Sequence, residues 1–219
     1  VEKTVFNKFL NAGQTCIAPD YVLVHSAVHD DFVALLKNRI EEVYCGNDKD
    51  LAGISSQKHF DHLIGLRENA TSNGASIETG GDANEEDLRL APTLLTGITA
   101  EMTIMQEEVF GPILPIMKMD SLEDAIEFIN ARPKPLALYF FSRNKTAIKR
   151  VISSTSSGGV CINDGNIHFS NNHLPFGGVS KSGIGRSHGY FGFKAFSNEK
   201  AILKQRIGQT SLKVLYPPY

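Results

Sequence analysis

The sequence predicts an α/β fold: a mainly parallel, twisted sheet flanked by helices, with an extended C-terminal strand and tail. Three observations lead there. Short apolar runs of strand length recur along the chain, and segments with apolar residues at helical spacing separate them. Those segments run to about ten residues, enough for the crossover connections that parallel strands require. A Gly-, Ser-, Asn- and His-rich segment over 163–192 then breaks the alternation before a last apolar triplet. The expected division is one domain over 1–196 and a C-terminal strand and tail over 197–219 that serves oligomerisation.

Taken in order, Tyr21-Val22-Leu23-Val24 reads as a buried strand, and Phe32, Leu35, Leu36, Ile40 and Val43 follow at helical period. A second helix is expected over 57–73, closed by Asn73-Gly74. Gly80-Gly81 through Arg89 reads as a polar loop leading to Ala91-Pro92-Thr93-Leu94-Leu95. Residues 113–117 are strand-like, and Ser121 can cap a helix through Asn130, with Asp124 as the acidic variant of a capping box. Strands over 136–141 and 159–162 then bracket a helix over 145–153. The segment 163–192 is long for a connection inside a domain, and loops of that length are usually functional or disordered. Ala201-Ile202-Leu203 reads as a final short strand.

Composition narrows the function classes. With 219 residues, 42% hydrophobic and 21% charged, the chain can bury a full core. Its 22 Lys and Arg face 24 Asp and Glu, and a net charge of -2 supplies no drive toward nucleic acid or anionic lipid. No apolar stretch approaches the about 20 residues of a membrane span, so none is expected. Residues 1–10 lack a basic region followed by an apolar core, and there is no initiator Met, so the chain is expected to begin inside a longer protein. Cys16, Cys45 and Cys161 are odd in number and widely spaced, which fits a reducing, cytoplasmic compartment and offers no CxxC metal pair.

Chemistry concentrates in Asn11-Ala12-Gly13-Gln14-Thr15-Cys16, where small residues allow a tight turn before a strand. Such a turn would leave both a thiol and neighbouring backbone N–H groups accessible to a carbonyl substrate. By these six residues alone, Cys16 is either a nucleophile or a small buried hydrophobe. Cys161, between Val160 and Ile162, reads as core, and Cys45, after a helix and before Gly46, as packed or partly exposed. His168, His173 and His188 match no zinc spacing, and no metal is expected. Gly177, Gly178, Gly183 and Gly185 do not follow a strand and open a helix, as a phosphate-binding turn does, and read as loop flexibility.

Three segments in order carry a family resemblance. The Asn11 to Cys16 hexapeptide resembles the active-site segment of aldehyde dehydrogenases. Glu107-Glu108-Val109-Phe110-Gly111-Pro112 resembles the second signature of that superfamily, and Pro175-Phe176-Gly177-Gly178 with Ser182-Gly183 resembles a third. Residues 131–139, 161–164 and the Tyr216-Pro217-Pro218-Tyr219 end are similar in wording to the class 3 and fatty-aldehyde branch. The resemblance covers nearly the whole chain.

It implies the thiol-bearing catalytic domain of an enzyme that oxidises a small-molecule aldehyde with NAD or NADP. Cys16 matches the nucleophile, which passes through a thiohemiacetal and a thioester. Glu108 matches the carboxylate on the nicotinamide ribose, Phe110 the ring beside the nicotinamide, and Phe176 a residue lining the aldehyde tunnel. On the residues alone, Glu108 is also readable as a solvated loop charge, and the two rings as structural aromatics. A homo-oligomer, most simply a dimer, is implied too, with the 201–203 strand reaching a partner subunit. The family's dinucleotide-binding domain, with its general-base Glu and oxyanion-hole Asn, is absent from these 219 residues, so the chain alone is expected to be inactive. Two other readings stay open: a non-catalytic interaction or oligomerisation module derived from this family, and a cysteine hydrolase, for which no His context nominates a base.

Overall fold

The first helix is one that no sequence signal announces. In the computed structural model, which describes residues 1–44 and 51–208, α1 (Glu2–Phe9) runs into a kinked turn, Leu10–Gly13, in which Asn11 and Ala12 leave helical geometry. Val5 and Phe9 lie buried one turn apart, but Thr4, Asn7 and Lys8 are buried beside them, which blurs the apolar stripe that periodicity relies on. Cys45 and the Tyr216 to Tyr219 end lie outside the described residues.

The expected alternation then appears in order. β1 (Val22–His25) leads to α2 (His29–Tyr44), whose Asp30 and Asp31 suit the positive end of the helix dipole and whose Val33, Leu36 and Ile40 face inward. α3 (Gln57–Ser72) starts at Ser56, whose Oγ accepts from the His59 N–H at 3.3 Å, and stops at Asn73, followed by Gly74 at φ +100°. β2 (Ser76–Thr79) is a strand that no sequence signal announces, and the two-residue strands β3 (Ala83–Asn84) and β4 (Arg89–Leu90) fall within and at the end of the stretch read as loop. β5 (Thr93–Thr96) and β6 (Ile113–Met119) follow. α4 (Leu122–Asn130) is capped by Ser121, and β7 (Ala137–Phe140), α5 (Lys145–Ser154) and β8 (Gly159–Ile162) complete the alternation.

The main sheet has the order β1-β6-β5-β2. β1 and β5 both run parallel to β6, while β2 closes the edge antiparallel to β5. β7 and β8 form a separate parallel pair. The fold is therefore α/β and mainly parallel, as the alternation requires. Leu114 and Ile116 of β6 point into a core shared with α1 and α2, and Ile113 and Met117 into one shared with α3. Burial on both faces explains why β6 reads as a continuous apolar run. Because β1 and β6 are parallel neighbours, the segments entering them leave the same end of the sheet. That places the Cys16 segment beside the Glu107 to Pro112 segment.

Two expectations need correction. The 163–192 segment is not a featureless loop: it contains α6 (Ile167–Ser170), a 3-10 turn at Ser180–Ser182 and the start of α7 (Gly189–Ala195). Phe176 and Ser187 exchange backbone hydrogen bonds at 3.1 and 2.7 Å, closing the chain between them into a compact excursion. Gly177 and Gly178 accordingly serve close packing: a Cβ on the first would overlap the Gly185 carbonyl and on the second that of Ser182. Residues 201–203 belong to none of the sheets of the described residues, and Ile202 and Leu203 are 82% and 96% exposed. Among the described residues no helix is long and apolar enough to cross a membrane.

Candidate active site

Asn11, Ala12 and Gly13 are all left-handed, at φ +55°, +52° and +72°. For Asn and Ala this conformation costs roughly 1–2 kcal/mol each, so surrounding contacts must hold the turn. Gln14 supplies several. Its Nε2 donates to the Gly53 carbonyl at 3.0 Å, its Oε1 accepts from the Ser55 N–H at 2.9 Å, and its own carbonyl accepts from Asn11 Nδ2 at 3.0 Å. Gly13 must be glycine, because a Cβ there would overlap the Gly111 carbonyl. Cys16 leaves this turn exposed, between the held loop and buried Ile17. That exposure sets Cys16 apart from a small buried hydrophobe. Cys161 is the buried thiol, in β8, and burial pushes its pKa up.

The second loop is tied to the first. Asp20 Oδ1, four residues after Cys16, accepts from the Val109 N–H at 2.9 Å. From the other side, His59 Nε2 lies 2.9 Å from the Phe110 carbonyl and His62 Nε2 lies 3.4 Å from Glu107 Oε1. Phe110 is left-handed at φ +46°. Glu108 is exposed between these anchored neighbours and makes no hydrogen bond to another described residue. Its pKa is raised by partial burial and then by the charge of Asp20. Beneath both loops lies Lys8, only 1% exposed. Desolvation lowers its pKa to about 8 although Asp20 and Glu108 pull the other way. Asp20 is itself raised by burial. A carboxylate free to accept from vicinal hydroxyls, two residues from an aromatic ring, suits the nicotinamide ribose of a dinucleotide.

Phe176 belongs to a cluster of rings. It stacks on His188 at 5.1 Å and 17°, meets Phe169 edge-on at 5.0 Å, and lies 6.1 Å from His168. His168 in turn meets Tyr139 edge-on at 5.9 Å. The Tyr139 hydroxyl donates to the carbonyl of Ile17, next to Cys16, at 2.7 Å, with Asn166 Oδ1 at 2.9 Å. Burial raises the Tyr139 pKa, so the phenol stays a donor at neutral pH. Phe176 therefore connects to the Cys16 loop through His168 and Tyr139. Among the described residues no three metal-binding side chains are grouped.

The structure thus brings Cys16, Glu108 and Phe110 onto two bonded loops and links Phe176 to them through rings. Sequence reasoning did not find Gln14, Asp20, Lys8, His59 or Tyr139. Gln14 lay inside the hexapeptide and was legible as part of that motif. The others act between residues 27 or more positions apart or from inside the core, where no local pattern marks them.

The chain matches the aldehyde dehydrogenase family over residues 1–202 and belongs to that family, in its class 3 branch. It is 46% identical over 221 residues to the 4,4'-diaponeurosporen-aldehyde dehydrogenase of Staphylococcus aureus, covering 100% of this chain and 47% of that protein. Against aldehyde dehydrogenase family 3 member A2 of Rattus norvegicus the identity is 44% over 220 residues, with 99% and 44% covered. The dimeric, NADP-preferring aldehyde dehydrogenase of Bos taurus is 43% identical over 220 residues, with 98% and 90% covered. Among solved structures, the substrate-bound state of Staphylococcus aureus AldH is similar at a TM-score of 0.87 and 42% identity, covering 97% of this chain and 48% of that one. The chain spans about half the length of the staphylococcal and rat relatives.

Proposed function

We propose that this chain is the thiol-bearing catalytic domain of an enzyme that oxidises an aldehyde to a carboxylic acid with NAD or NADP. The observation that supports it most is the exposed Cys16 thiol on a held turn, bonded through Asp20 to the loop that carries Glu108 and Phe110. Cys16 Sγ adds to the carbonyl carbon and forms a thiohemiacetal. A bound nicotinamide supplies the hydride acceptor. Loss of the C–H electron pair as hydride leaves a thioester on Sγ, and water then breaks the C–S bond, releasing the acid and restoring the thiol. Glu108 accepts from the nicotinamide ribose, Phe110 packs by its ring, and Phe176 lines the approach of the aldehyde.

The remaining catalytic groups, a general base, an oxyanion-hole amide and the dinucleotide cradle, come on this reading from sequence outside the 219 residues. The same reading makes the enzyme a dimer, in keeping with the bovine relative's description, and the free thiols Cys16 and Cys161 suit a reducing, cytoplasmic setting.

The test has two arms. In the complete protein that carries this chain, a limiting thiol electrophile should label Cys16 before Cys161, and Cys16→Ala should bring aldehyde-dependent NAD(P)H production to background. Retained turnover in that variant removes Cys16 from the mechanism. The 219-residue chain by itself should show no useful turnover, since loss of a general base alone removes about 100- to 10,000-fold in rate. Sustained, Cys16-dependent turnover by the isolated chain would overturn the division of labour.

A further inference from the structure

We infer that His59 is a positioning residue for the cofactor-facing loop: its Nε2–H, donated to the Phe110 carbonyl at 2.9 Å, holds Phe110 left-handed and thereby sets the direction of Glu108 and of the Phe110 ring. The inference rests on the reading of Glu108 and Phe110 as dinucleotide contacts.

A bulky L-residue avoids φ +46° and persists there only where its surroundings over-determine it. Three anchors surround Glu108. His62 faces the Glu107 side chain at 3.4 Å, Asp20 accepts from the Val109 N–H at 2.9 Å, and His59 bonds the Phe110 carbonyl. Of these, only the His59 bond reaches the main chain of the strained residue itself. The helix behind it is packed hard on the loop, since a Cβ on Gly111 would strike the side chain of Leu63.

His59 is also well fixed. It is the third residue of α3, and its backbone N–H is taken by Ser56 Oγ. Its half-buried ring lies 6.2 Å from that of His62, 25° from parallel, and 6.2 Å from that of Phe110. A donor on the first turn of a sixteen-residue helix is held more tightly than one on a loop could be. The bond needs a proton on Nε2, which the neutral Nε2–H tautomer and the imidazolium both carry. Without it, Phe110 is free to relax to negative φ, which turns Glu108 and the ring together. The Cys16 turn keeps its own anchors in Gln14 and would not follow.

In the complete protein, His59→Phe removes the donor and keeps a ring, whereas His59→Gln keeps an N–H at similar reach. His59→Phe should raise the KM for NAD(P) about 3- to 10-fold, the scale of one hydrogen bond, with little change in the alkylation rate of Cys16. His59→Gln should stay within about twofold of the unsubstituted enzyme. An unchanged KM in His59→Phe, or an equal rise in both variants, overturns the inference. If His59→Phe does not fold, His59→Asn, whose amide is too short to reach the carbonyl, replaces it with the same expectation. Glu108→Gln, measured alongside, separates the two failures. No rise there overturns the dinucleotide reading of the loop, and a rise there with none in His59→Phe overturns the role of His59 alone.

Discussion

Lys8 is the residue whose environment runs most against its chemistry. An ammonium at 1% exposure has lost nearly all its hydration, and its pKa of about 8 shows that Asp20 and Glu108 do not fully offset that loss. In the unfolded chain the group titrates near 10.5. Between the two values the unfolded chain holds more protons than the folded one, so stability rises with pH across that window and the penalty is complete below it. Relative to a Lys8→Met variant, the native chain should therefore gain about 2 kcal/mol in urea unfolding free energy between pH 7.5 and 9.5. A difference that does not move with pH over this interval would mean that Lys8 is not charged and buried as described.

At the scale of the element, the site depends on strand ends and on glycines that let backbones meet. β1 and β6 enter the sheet in parallel, and the bond from Asp20 to Val109 fastens the segments leading into them. A comparable close approach supports the Phe176 turn. Gly158, just before β8, faces the carbonyls of Gly177 and Leu136, and a Cβ there would overlap both. Because those neighbours are backbone, no side chain can swing aside. Gly158→Ala should cost about 1–3 kcal/mol of stability, as overpacking does, and disturb the turn that carries Phe176. Gly65 provides the contrast: it lies in α3, where an added Cβ would meet nothing within 4 Å, and Gly65→Ala should stabilise by roughly 0.5–1 kcal/mol. Denaturant midpoints that fell together, or a Gly158→Ala chain as stable as its parent, would show that the close approach is relieved by small shifts.

For the whole molecule, the notable surface is the one that follows the 163–192 excursion. Phe193, Phe196, Ile202, Leu203 and Ile207 are all exposed, the last four at 82% or more. Large apolar side chains exposed in such number along one segment suit contact with another protein, and residues 201–203, unpaired with any described strand, are suited to adding to a sheet edge. We expect the complete protein to sediment as a dimer, and a form ending after Ser197 to sediment as a monomer. If truncation leaves both the association state and the solubility unchanged, the tail is not the subunit contact.

The sequence by itself determined the class of fold, the order of most helices and strands, and the motifs around Cys16, Glu108 and Phe176. These are local properties: periodicity, caps such as Ser56 and Ser121, and short runs whose residue types constrain the backbone. It did not disclose α1, whose buried Lys8 and Asn7 disguise an inward face, or β2, whose pattern is largely exposed. It misread Gly177 and Gly178 as slack, because a glycine required by close approach and one required by flexibility are the same letter. Only the tertiary structure decided between the exposed and the buried state of Cys16, and left residues 201–203 without a partner strand among the described residues. Only it joined Asp20 to Val109, His59 to Phe110 and Tyr139 to Ile17. Those hydrogen bonds link residues 51 to 122 positions apart, where pairing is set by how the sheet and helices pack and leaves no trace in local spacing.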